Sequence, residues 1–207
     1  MRSAAQQASP PVESAVRLQS SDLVDVAPLD PTFKLDVRYA TSNNFLGTPV
    51  YTQARVFLQR PAAAALVRAN QRLREQGFGL LLFDGYRPWW VTKLFWEATP
   101  ESQRAFVADP AQGSRHNRGC AIDLSLYDLK TGREVQMPSP YDEFSKRAHP
   151  DYIGGTAAER ARRDTLRHAM EAEGFTVNED EWWHYDYLDW QSYPIGTEPF
   201  EKIDAGR

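Results

Sequence analysis

Apolar residues recur along the chain with two different periods, which predict helices and strands respectively. Residues 61–76 show the helical period, with Pro61 at the first position and Gly77 directly after the end. One face of this stretch carries the apolar residues Ala62, Leu66, Ala69 and Leu73. The pattern therefore predicts an amphipathic helix over residues 61–76.

Three further helices are predicted from start signals and apolar spacing. Residues 156–173 begin with Thr156 and Glu159, which have the spacing of a capping box, and a glycine follows the last residue. A second stretch, Trp89–Ala98, follows a proline that suits the first turn of a helix. A short helix is expected around Glu101–Ala108.

Short runs of apolar, β-branched and aromatic residues predict strands. These runs are Leu23–Val26, Phe33–Tyr39, Phe78–Phe83, Cys120–Leu126 and Glu181–Tyr187. The strands and helices alternate without forming regular βαβ units, which favours an α+β fold. We expect a single domain over residues 21–207, preceded by a disordered segment, residues 1–20, that is short of large apolar side chains.

Composition narrows the class of protein. The chain has 207 residues, enough for one domain with its own core, and its 24 basic and 28 acidic residues give a net charge of -4. Nucleic acid is not expected as a partner, because phosphate binding needs a basic patch. The single cysteine, Cys120, stands in an apolar run and is interpreted as a small buried residue rather than a nucleophile.

Two features bear on membranes and on the compartment. No run of about 18 apolar residues occurs, so no transmembrane helix is expected. The opening residues lack the apolar stretch of a signal peptide, which predicts a cytoplasmic protein. The same polar opening is typical of an exported protein whose signal has been removed, so a periplasmic location stays open as the alternative.

The side chains that carry chemistry are concentrated in two segments. The first, residues 114–123, contains His116 and Asp123, and the second contains Glu181 and His184. A catalytic zinc takes three protein ligands, usually histidines with a carboxylate or a third histidine, and leaves a fourth position for water. The two segments can supply three ligands and still leave one carboxylate to accept the proton of that water.

Spacing adds two local expectations. Gly119 is expected to let the backbone bend where a side chain would block the approach to the metal. Glu181 and His184 lie three residues apart in an aromatic segment that reads as a strand. Positions three apart on a regular strand face opposite sides, so a bulge or a strand end is expected between them.

Each segment alone has an ordinary explanation, because a His near an Asp is usually a satisfied polar pair and an aromatic strand usually belongs to a core. The combination is more specific: Ser-x-His-x-x-Gly-x-Ala-x-Asp, followed about 60 residues later by Glu-x-Trp-His. It resembles the D-alanyl-D-alanine dipeptidases of the vancomycin-resistance type, within the wider D,D-peptidase and Hedgehog-like zinc peptidase fold. The resemblance extends over roughly residues 33–187.

The resemblance implies an architecture and a metal site. The fold would be a central, largely antiparallel sheet flanked by helices, with the zinc site in a cleft. One zinc ion per chain would be held by His116, Asp123 and His184. Glu181 would be the general base.

A third segment, Asp-Gly-Tyr-Arg-Pro, contains Arg87 at the end of a predicted buried strand. From the sequence alone, the simplest interpretation of Arg87 is a surface residue that pairs with Asp84. The resemblance reverses this interpretation, because the segment matches the one whose arginine stabilises the oxyanion in the dipeptidases.

The resemblance also implies the reaction and the substrate. It predicts hydrolysis of the D-alanyl-D-alanine dipeptide to free D-alanine by attack of zinc-bound water, with Ser114 and Asp142 binding the substrate. Asp142 is the candidate partner of the substrate's ammonium group, although a lone loop aspartate is more often a turn or cap residue. The loop before it departs from the family, with Met-Pro-Ser at residues 137–139 where the dipeptidases tend to have Met-Gly-Thr.

Two alternatives remain at this point. One is a zinc D,D- or L,D-carboxypeptidase or endopeptidase that acts on longer peptidoglycan peptides. The other is a non-catalytic zinc-binding module. The spare Glu181 argues against the module, because a structural zinc site is closed by four ligands and needs no base. The sequence does not indicate an oligomeric state.

Overall fold

The computed structural model describes residues 9–12 and 18–203, so most of the segment predicted to be disordered, residues 1–20, lies outside the described residues. The strands are β1 Leu23–Asp25, β2 Lys34–Leu35, β3 Phe57–Gln59, β4 Phe78–Asp84, β5 Ala121–Asp128, β6 Phe175–Val177 and β7 His184–Tyr187. The α-helices are α1 Arg60–Arg74, α2 Trp89–Ala98, α3 Ala157–Glu171 and α4 Phe200–Ile203. Within the described part of the chain, no helix is long and apolar enough to cross a bilayer.

The architecture is α+β, as predicted. Five strands form one sheet in the order β2-β4-β5-β7-β6, and only the β2–β4 pair is parallel. The sheet is therefore largely antiparallel. Strands β1 and β3 form a separate antiparallel pair. Helix α1 packs on β4 and α3, and α3 packs in turn on β5 and β6, so the two longest helices cover the sheet together.

The longest helices follow from local sequence signals. In α3, the Thr156 hydroxyl accepts a hydrogen bond from the Glu159 backbone N–H, and the Glu159 carboxylate accepts one from the Thr156 backbone, so the predicted capping box is confirmed. The apolar face predicted for α1 is buried. The short helix expected around Glu101–Ala108 is a 3-10 helix over Glu101–Phe106.

The predicted strand Phe33–Tyr39 is wrong beyond Leu35. Only Lys34–Leu35 pairs with β4, and Arg38–Ala40 forms a 3-10 helix. The chain leaves the sheet because the Tyr39 ring packs into an aromatic cluster, with its centroid 4.7 Å from that of Phe95. Aromatic packing of this kind outweighs the strand propensity of an isolated segment.

The register of the central strands brings polar residues to one end of the sheet. Asp84 of β4 pairs with Asp123 of β5, and Asp123 pairs with His184 of β7, so three neighbouring strands place polar side chains in one row. Apart from Ser125 and the terminal Asp128, the rest of β4 and β5 is apolar, and almost all of it is buried. A polar row at the end of an otherwise apolar sheet marks the position of the site.

Candidate active site

Asp123 and His184 are directly opposite each other on β5 and β7. Opposed residues on antiparallel strands project their side chains from the same face at close range. Glu181 precedes the first residue of β7, and the His184 backbone N–H donates to the Glu181 carbonyl. The expected strand end between Glu181 and His184 is thus confirmed, and it lets both side chains face the cleft.

His116 reaches the same place from a 3-10 helix, Arg115–Arg118. The Ser114 side chain caps this helix by accepting from the His116 backbone N–H at 3.2 Å, and Gly119 ends it with φ 67°. A side chain at Gly119 would meet Leu23 and Gln59, not the site. The expectation that Gly119 clears the approach to the metal is therefore wrong, because the glycine is required by the turn and by its contact with the β1–β3 pair.

Three atoms of His116, Asp123 and His184 converge in the cleft. His116 Nε2 and His184 Nδ1 are 3.1 Å apart, and they lie 3.4 Å and 3.1 Å from Asp123 Oδ1. A tetrahedral zinc with bonds of about 2.0–2.1 Å to nitrogen and oxygen separates its ligand atoms by about 3.3 Å. The spacing of the three atoms is thus that of one face of a zinc tetrahedron.

In each histidine, the ring nitrogen that points away from Asp123, here called the outer nitrogen, has a hydrogen-bond partner of its own. These partners fix which nitrogen of each ring faces Asp123. His116 Nδ1 lies 2.8 Å from the Gly85 carbonyl oxygen, and His184 Nε2 lies 2.9 Å from Asp186 Oδ1. Because a carbonyl or carboxylate oxygen only accepts, each outer nitrogen is the donor. In the neutral rings, the inner nitrogens therefore present lone pairs toward Asp123, as metal-binding histidines do.

Asp123 is buried, and its Oδ1 has no hydrogen-bond partner among the described residues. Its other oxygen accepts a hydrogen bond from the Tyr141 hydroxyl at 3.0 Å. Burial alone would raise the pKa of Asp123, but His116 and His184 hold it well below its ordinary value, so the carboxylate is ionised. An orphaned carboxylate oxygen between two imidazole lone pairs fits a bound cation.

The neutral form of His184 described above is the metal-binding form, and in the metal-free protein the neighbouring carboxylates favour the protonated ring. Burial alone would lower the pKa of His184, but the carboxylates of Asp186 and Asp123 raise it well above its ordinary value. A metal ion must therefore displace a proton from His184 before it can bind.

Glu181 stands beside the three converging residues without joining them. Its Oε2 lies 3.7 Å from His184 Nδ1, and its side chain is 17% exposed. Burial raises the pKa of Glu181 to about 8, the charges of Asp123 and Asp142 add to this, and His184 opposes it. Glu181 is therefore a carboxyl group able to gain and lose a proton near neutral pH.

Arg87 is both paired and directed at the cleft. Its Nε and NH2 atoms lie 2.9 Å and 2.8 Å from Asp84 Oδ2, so the pairing expected from the sequence exists, but the residue is buried rather than on the surface. NH2 also lies 3.8 Å from Asp123 Oδ2. The Tyr51 hydroxyl donates to the other oxygen of Asp84 at 2.8 Å. The guanidinium is thus held rigidly at the edge of the site.

Asp142 and Ser114 both line the cleft. The Tyr39 hydroxyl donates to Asp142 Oδ2 at 2.8 Å, and the Asp142 backbone has φ 60°, a left-handed conformation that few non-glycine residues adopt. Burial raises the pKa of Asp142 to about 7, with Asp123 adding to this and Tyr39 opposing it. Ser114 has a structural task as the cap of the helix that carries His116.

The cleft has a volume of about 400 Å³ and contains all seven residues singled out in the sequence. Aromatic side chains form part of its walls. The aromatic lining residues are Tyr39, Phe45, Phe95, Phe106, Phe144, Trp183 and Trp190. A small cleft with aromatic residues in its walls and convergent polar groups suits a small polar ligand.

Sequence reasoning missed several residues that support the site. Asp186 lies two positions after His184, and this period-2 spacing on a strand was a usable signal. Tyr39 and Tyr141 gave no such signal, since the contact of Tyr39 with Asp142 joins segments 103 residues apart. The interpretation of Cys120 is consistent with the structure, where burial raises the pKa of its thiol to about 12.

Comparison with known proteins gives a consistent result. A model of the peptidase family M15, described as D-ala-D-ala dipeptidase, matches residues 19–195. The chain is 33% identical over 181 residues to a D-alanyl-D-alanine dipeptidase of Escherichia coli K12, covering 87% of this chain and 92% of that protein. It is 39% identical over 177 residues to a protein of the same name from Enterococcus faecalis, covering 77% and 87%.

Among solved structures, the fold is similar to a vancomycin-resistance D,D-dipeptidase, VanXYg, in complex with a D-Ala-D-Ala phosphinate analogue. The TM-score is 0.42 at 21% identity, over 66% of this chain and 53% of the other. A likeness at this level does not bear on the chemistry of the site.

Proposed function

Since the chain belongs to the D-alanyl-D-alanine dipeptidase family of metallopeptidases, we propose that it hydrolyses the D-alanyl-D-alanine dipeptide to free D-alanine with one zinc ion per chain. The observation that carries this proposal is the convergence of two imidazole nitrogens and one orphaned carboxylate oxygen within 3.4 Å of one another, beside a second, uncommitted carboxyl group.

His116, Asp123 and His184 would hold the ion. Their two nitrogens and one oxygen are the donor types that catalytic zinc sites use, and their outer hydrogen bonds already fix the ring orientations. When bound, zinc supplies a Lewis acid that polarises the scissile carbonyl and lowers the pKa of a nearby water molecule.

Glu181 is the proposed general base. Its carboxylate accepts a proton from the attacking water and then delivers that proton to the amine that leaves. The pKa of about 8 refers to the metal-free site, and a divalent cation nearby would lower it toward the working pH. Burial keeps the carboxyl group out of bulk water, which suits a group that holds a proton between the two transfers.

Arg87 is the proposed stabiliser of the oxyanion. As water adds to the peptide carbonyl, negative charge develops on the carbonyl oxygen, and a fixed guanidinium stabilises it without having to reorient. The ion pair with Asp84 supplies this rigidity, and the ring of Phe95 packs 4.8 Å from the guanidinium carbon. The pairing that first suggested a surface residue is thus part of the proposed catalytic arrangement.

Asp142 and Ser114 are the proposed substrate-binding residues. An ammonium group beside Asp142 would favour the charged form of this carboxyl, whose pKa burial has raised. The Tyr39 hydroxyl holds the carboxylate in one orientation, which limits the substrate's position. Ser114 lies at the cleft wall two residues before His116, where its hydroxyl can reach a bound dipeptide.

The same zinc ligands would serve a carboxypeptidase or endopeptidase on longer peptides, and Asp142 separates these possibilities. A dipeptidase needs a partner for the free amine, whereas an enzyme that cleaves longer chains must leave that end open. A non-catalytic zinc module is disfavoured because Glu181 remains outside the ligand set.

The test compares D-Ala-D-Ala, N-acetyl-D-Ala-D-Ala and an N-blocked tripeptide on one sample whose zinc content is measured. We expect about one zinc per chain and a strong preference for the free dipeptide, because the acetylated substrate leaves the Asp142 carboxylate desolvated without a cationic partner. An Asp142→Asn variant should lose most of that preference. Equal turnover of the free and acetylated dipeptides by the parent protein would instead establish the carboxypeptidase alternative.

A further inference from the structure

Three guanidinium groups line the cleft, and the side chain of Arg115 is the most exposed of the three. Arg87 is bound to Asp84, and Arg118 donates to the Tyr193 carbonyl oxygen. Arg115 belongs to the same lining, and its side chain is 43% exposed. Arg115 is therefore the cleft arginine best able to bind a ligand.

Two contacts hold the Arg115 guanidinium in place. Its NH1 lies 3.0 Å from Asp186 Oδ2, and its central carbon lies 4.9 Å from the ring centre of Trp190. An arginine has five N–H donors in a planar fork, so one ion pair and one stacked ring leave donors for another partner. That fork matches the geometry of a carboxylate.

Arg115 and Asp142 are connected to the reaction centre through different residues. Asp186, the partner of Arg115, binds the outer nitrogen of His184, so Arg115 lies beyond this ring as seen from Asp123. Asp142 instead contacts Tyr39, whose ring lies 5.6 Å from the guanidinium carbon of Arg87. The cleft thus offers a carboxyl group, Asp142, and a guanidinium, Arg115, that are held by separate sets of contacts.

A dipeptide at neutral pH carries charges in the matching arrangement, with an ammonium at one end and a carboxylate at the other. We propose that Arg115 binds the carboxylate of the substrate's C-terminal residue, the residue that leaves as a free amino acid. This inference rests on the dipeptidase activity proposed above. It makes Arg115 a specificity-determining residue, which favours substrates with a free C-terminal carboxylate.

The test pairs two proteins with two substrates. The parent protein and an Arg115→Ala variant are assayed on D-Ala-D-Ala and on D-alanyl-D-alaninamide, whose C-terminal group is neutral. A hydrogen-bonded charge contact of this kind is expected to favour the free acid by about 10- to 100-fold in kcat/KM, mainly through KM. The variant should lose that advantage on the acid and keep nearly its parent rate on the amide.

The amide is an internal control, because it uses the same metal, base and oxyanion site. An Arg72→Ala variant, which removes a surface arginine paired with Glu173, controls for loss of positive charge and should behave as the parent protein. Zinc content is measured for each protein. Arg115→Lys should restore part of the preference, since lysine keeps the charge but not the planar fork.

The possible outcomes separate this inference from the proposed function. If the parent hydrolyses D-Ala-D-Ala and Arg115→Ala keeps the parent preference for the acid, the carboxylate subsite is wrong and the dipeptidase activity stands. An equal loss on both substrates also overturns the subsite, because Arg115 would then act on His184 through Asp186. If the parent hydrolyses neither substrate, the proposed function fails, and this inference fails with it.

Discussion

The outer nitrogen of His184, Nε2, lies 2.9 Å from Asp186 Oδ1, and this contact directs the other ring nitrogen, Nδ1, toward Asp123. Both residues belong to β7, two positions apart, so their side chains leave the strand on the same face. The strand geometry therefore sets the orientation of a proposed metal ligand before any metal arrives.

Asp186→Asn should weaken zinc binding while the fold persists. An asparagine can present an amide N–H to His184 in place of an acceptor. It also removes the negative charge of Asp186, which makes the His184 ring a better donor to the metal. Loss of such an outer partner typically costs about 10- to 100-fold in metal affinity. Competition with a chelator of known affinity measures the change. Arg115→Ala is the matched control, because it breaks the other contact of Asp186 and should leave zinc affinity near the parent value.

Zinc binding should release protons and tighten as pH rises. The metal-free His184 has a raised pKa, so it is protonated at neutral pH and must lose that proton to become a ligand. Glu181, with a pKa of about 8, is also mostly protonated at pH 7 and should lose part of its proton when a divalent cation arrives.

Calorimetry at pH 7 in buffers of different ionisation enthalpy counts these protons. We expect more than one proton released per zinc ion, and a smaller number for Glu181→Gln, which lacks the second titrating group. An identical count for the two proteins would show that Glu181 does not sense the metal.

Arg87→Ala should lower kcat by about 10²–10³, the usual loss for an oxyanion donor, and leave the zinc content unchanged. Arg87→Lys should recover only part of the rate, because an ammonium has no planar pair of nitrogens to reproduce the contact of Nε and NH2 with Asp84 Oδ2. Steady-state rates and metal analysis on the same samples measure both effects. A rate close to that of the parent protein would show that Arg87 only forms the ion pair with Asp84 and does not stabilise the oxyanion.

Gly119→Ala should destabilise the protein by about 1–3 kcal/mol, the cost of a left-handed non-glycine residue, and should also weaken zinc binding. The added methyl group meets Leu23 and Gln59, so the helix that carries His116 must shift. Gly77→Ala is the matched control, since Gly77 also has a positive φ but open space around it. It should lose less stability than Gly119→Ala, because only the backbone conformation is strained, and its zinc affinity should not change.

The sequence was informative where the physical signal is local. The capping box at Thr156, the apolar face of α1 and the change of geometry before His184 all depend on residues within about one turn or one strand end. The same holds for the ligand types, since His116 and Asp123 lie on either side of one tight turn.

The sequence could not give the features that depend on register and distant packing. No local signal in the sequence fixes the alignment of Asp84, Asp123 and His184 across three strands. This alignment depends on the strand register, and a shift of one residue would turn each side chain to the other face of the sheet. Likewise, the sequence predicted no function for the loop from Met137 to Tyr141. In the structure it supplies Tyr141 to Asp123 and Asp142 to Tyr39, both through contacts with distant segments.

Glu181→Gln should bind zinc and substrate almost normally and be nearly inactive. Glutamine keeps the size and the hydrogen bonding of the side chain but cannot accept a proton. Loss of a general base typically costs about 10²–10⁴ in rate, and proton delivery to the leaving amine is lost with it. The structure adds a reason to expect normal metal binding, because the Glu181 carboxylate stands outside the set of atoms that converge on Asp123 Oδ1.

Metal analysis and a steady-state assay of Glu181→Gln distinguish three roles for this residue. A fourth ligand in a closed structural site would make the variant lose zinc affinity as well as activity. A residue without a chemical role would leave the variant turning over D-Ala-D-Ala at the parent rate. Only a general base predicts full zinc occupancy, a KM near that of the parent protein and a kcat reduced by orders of magnitude. His184→Ala is the matched comparison, since removing a ligand should lower zinc occupancy and activity together.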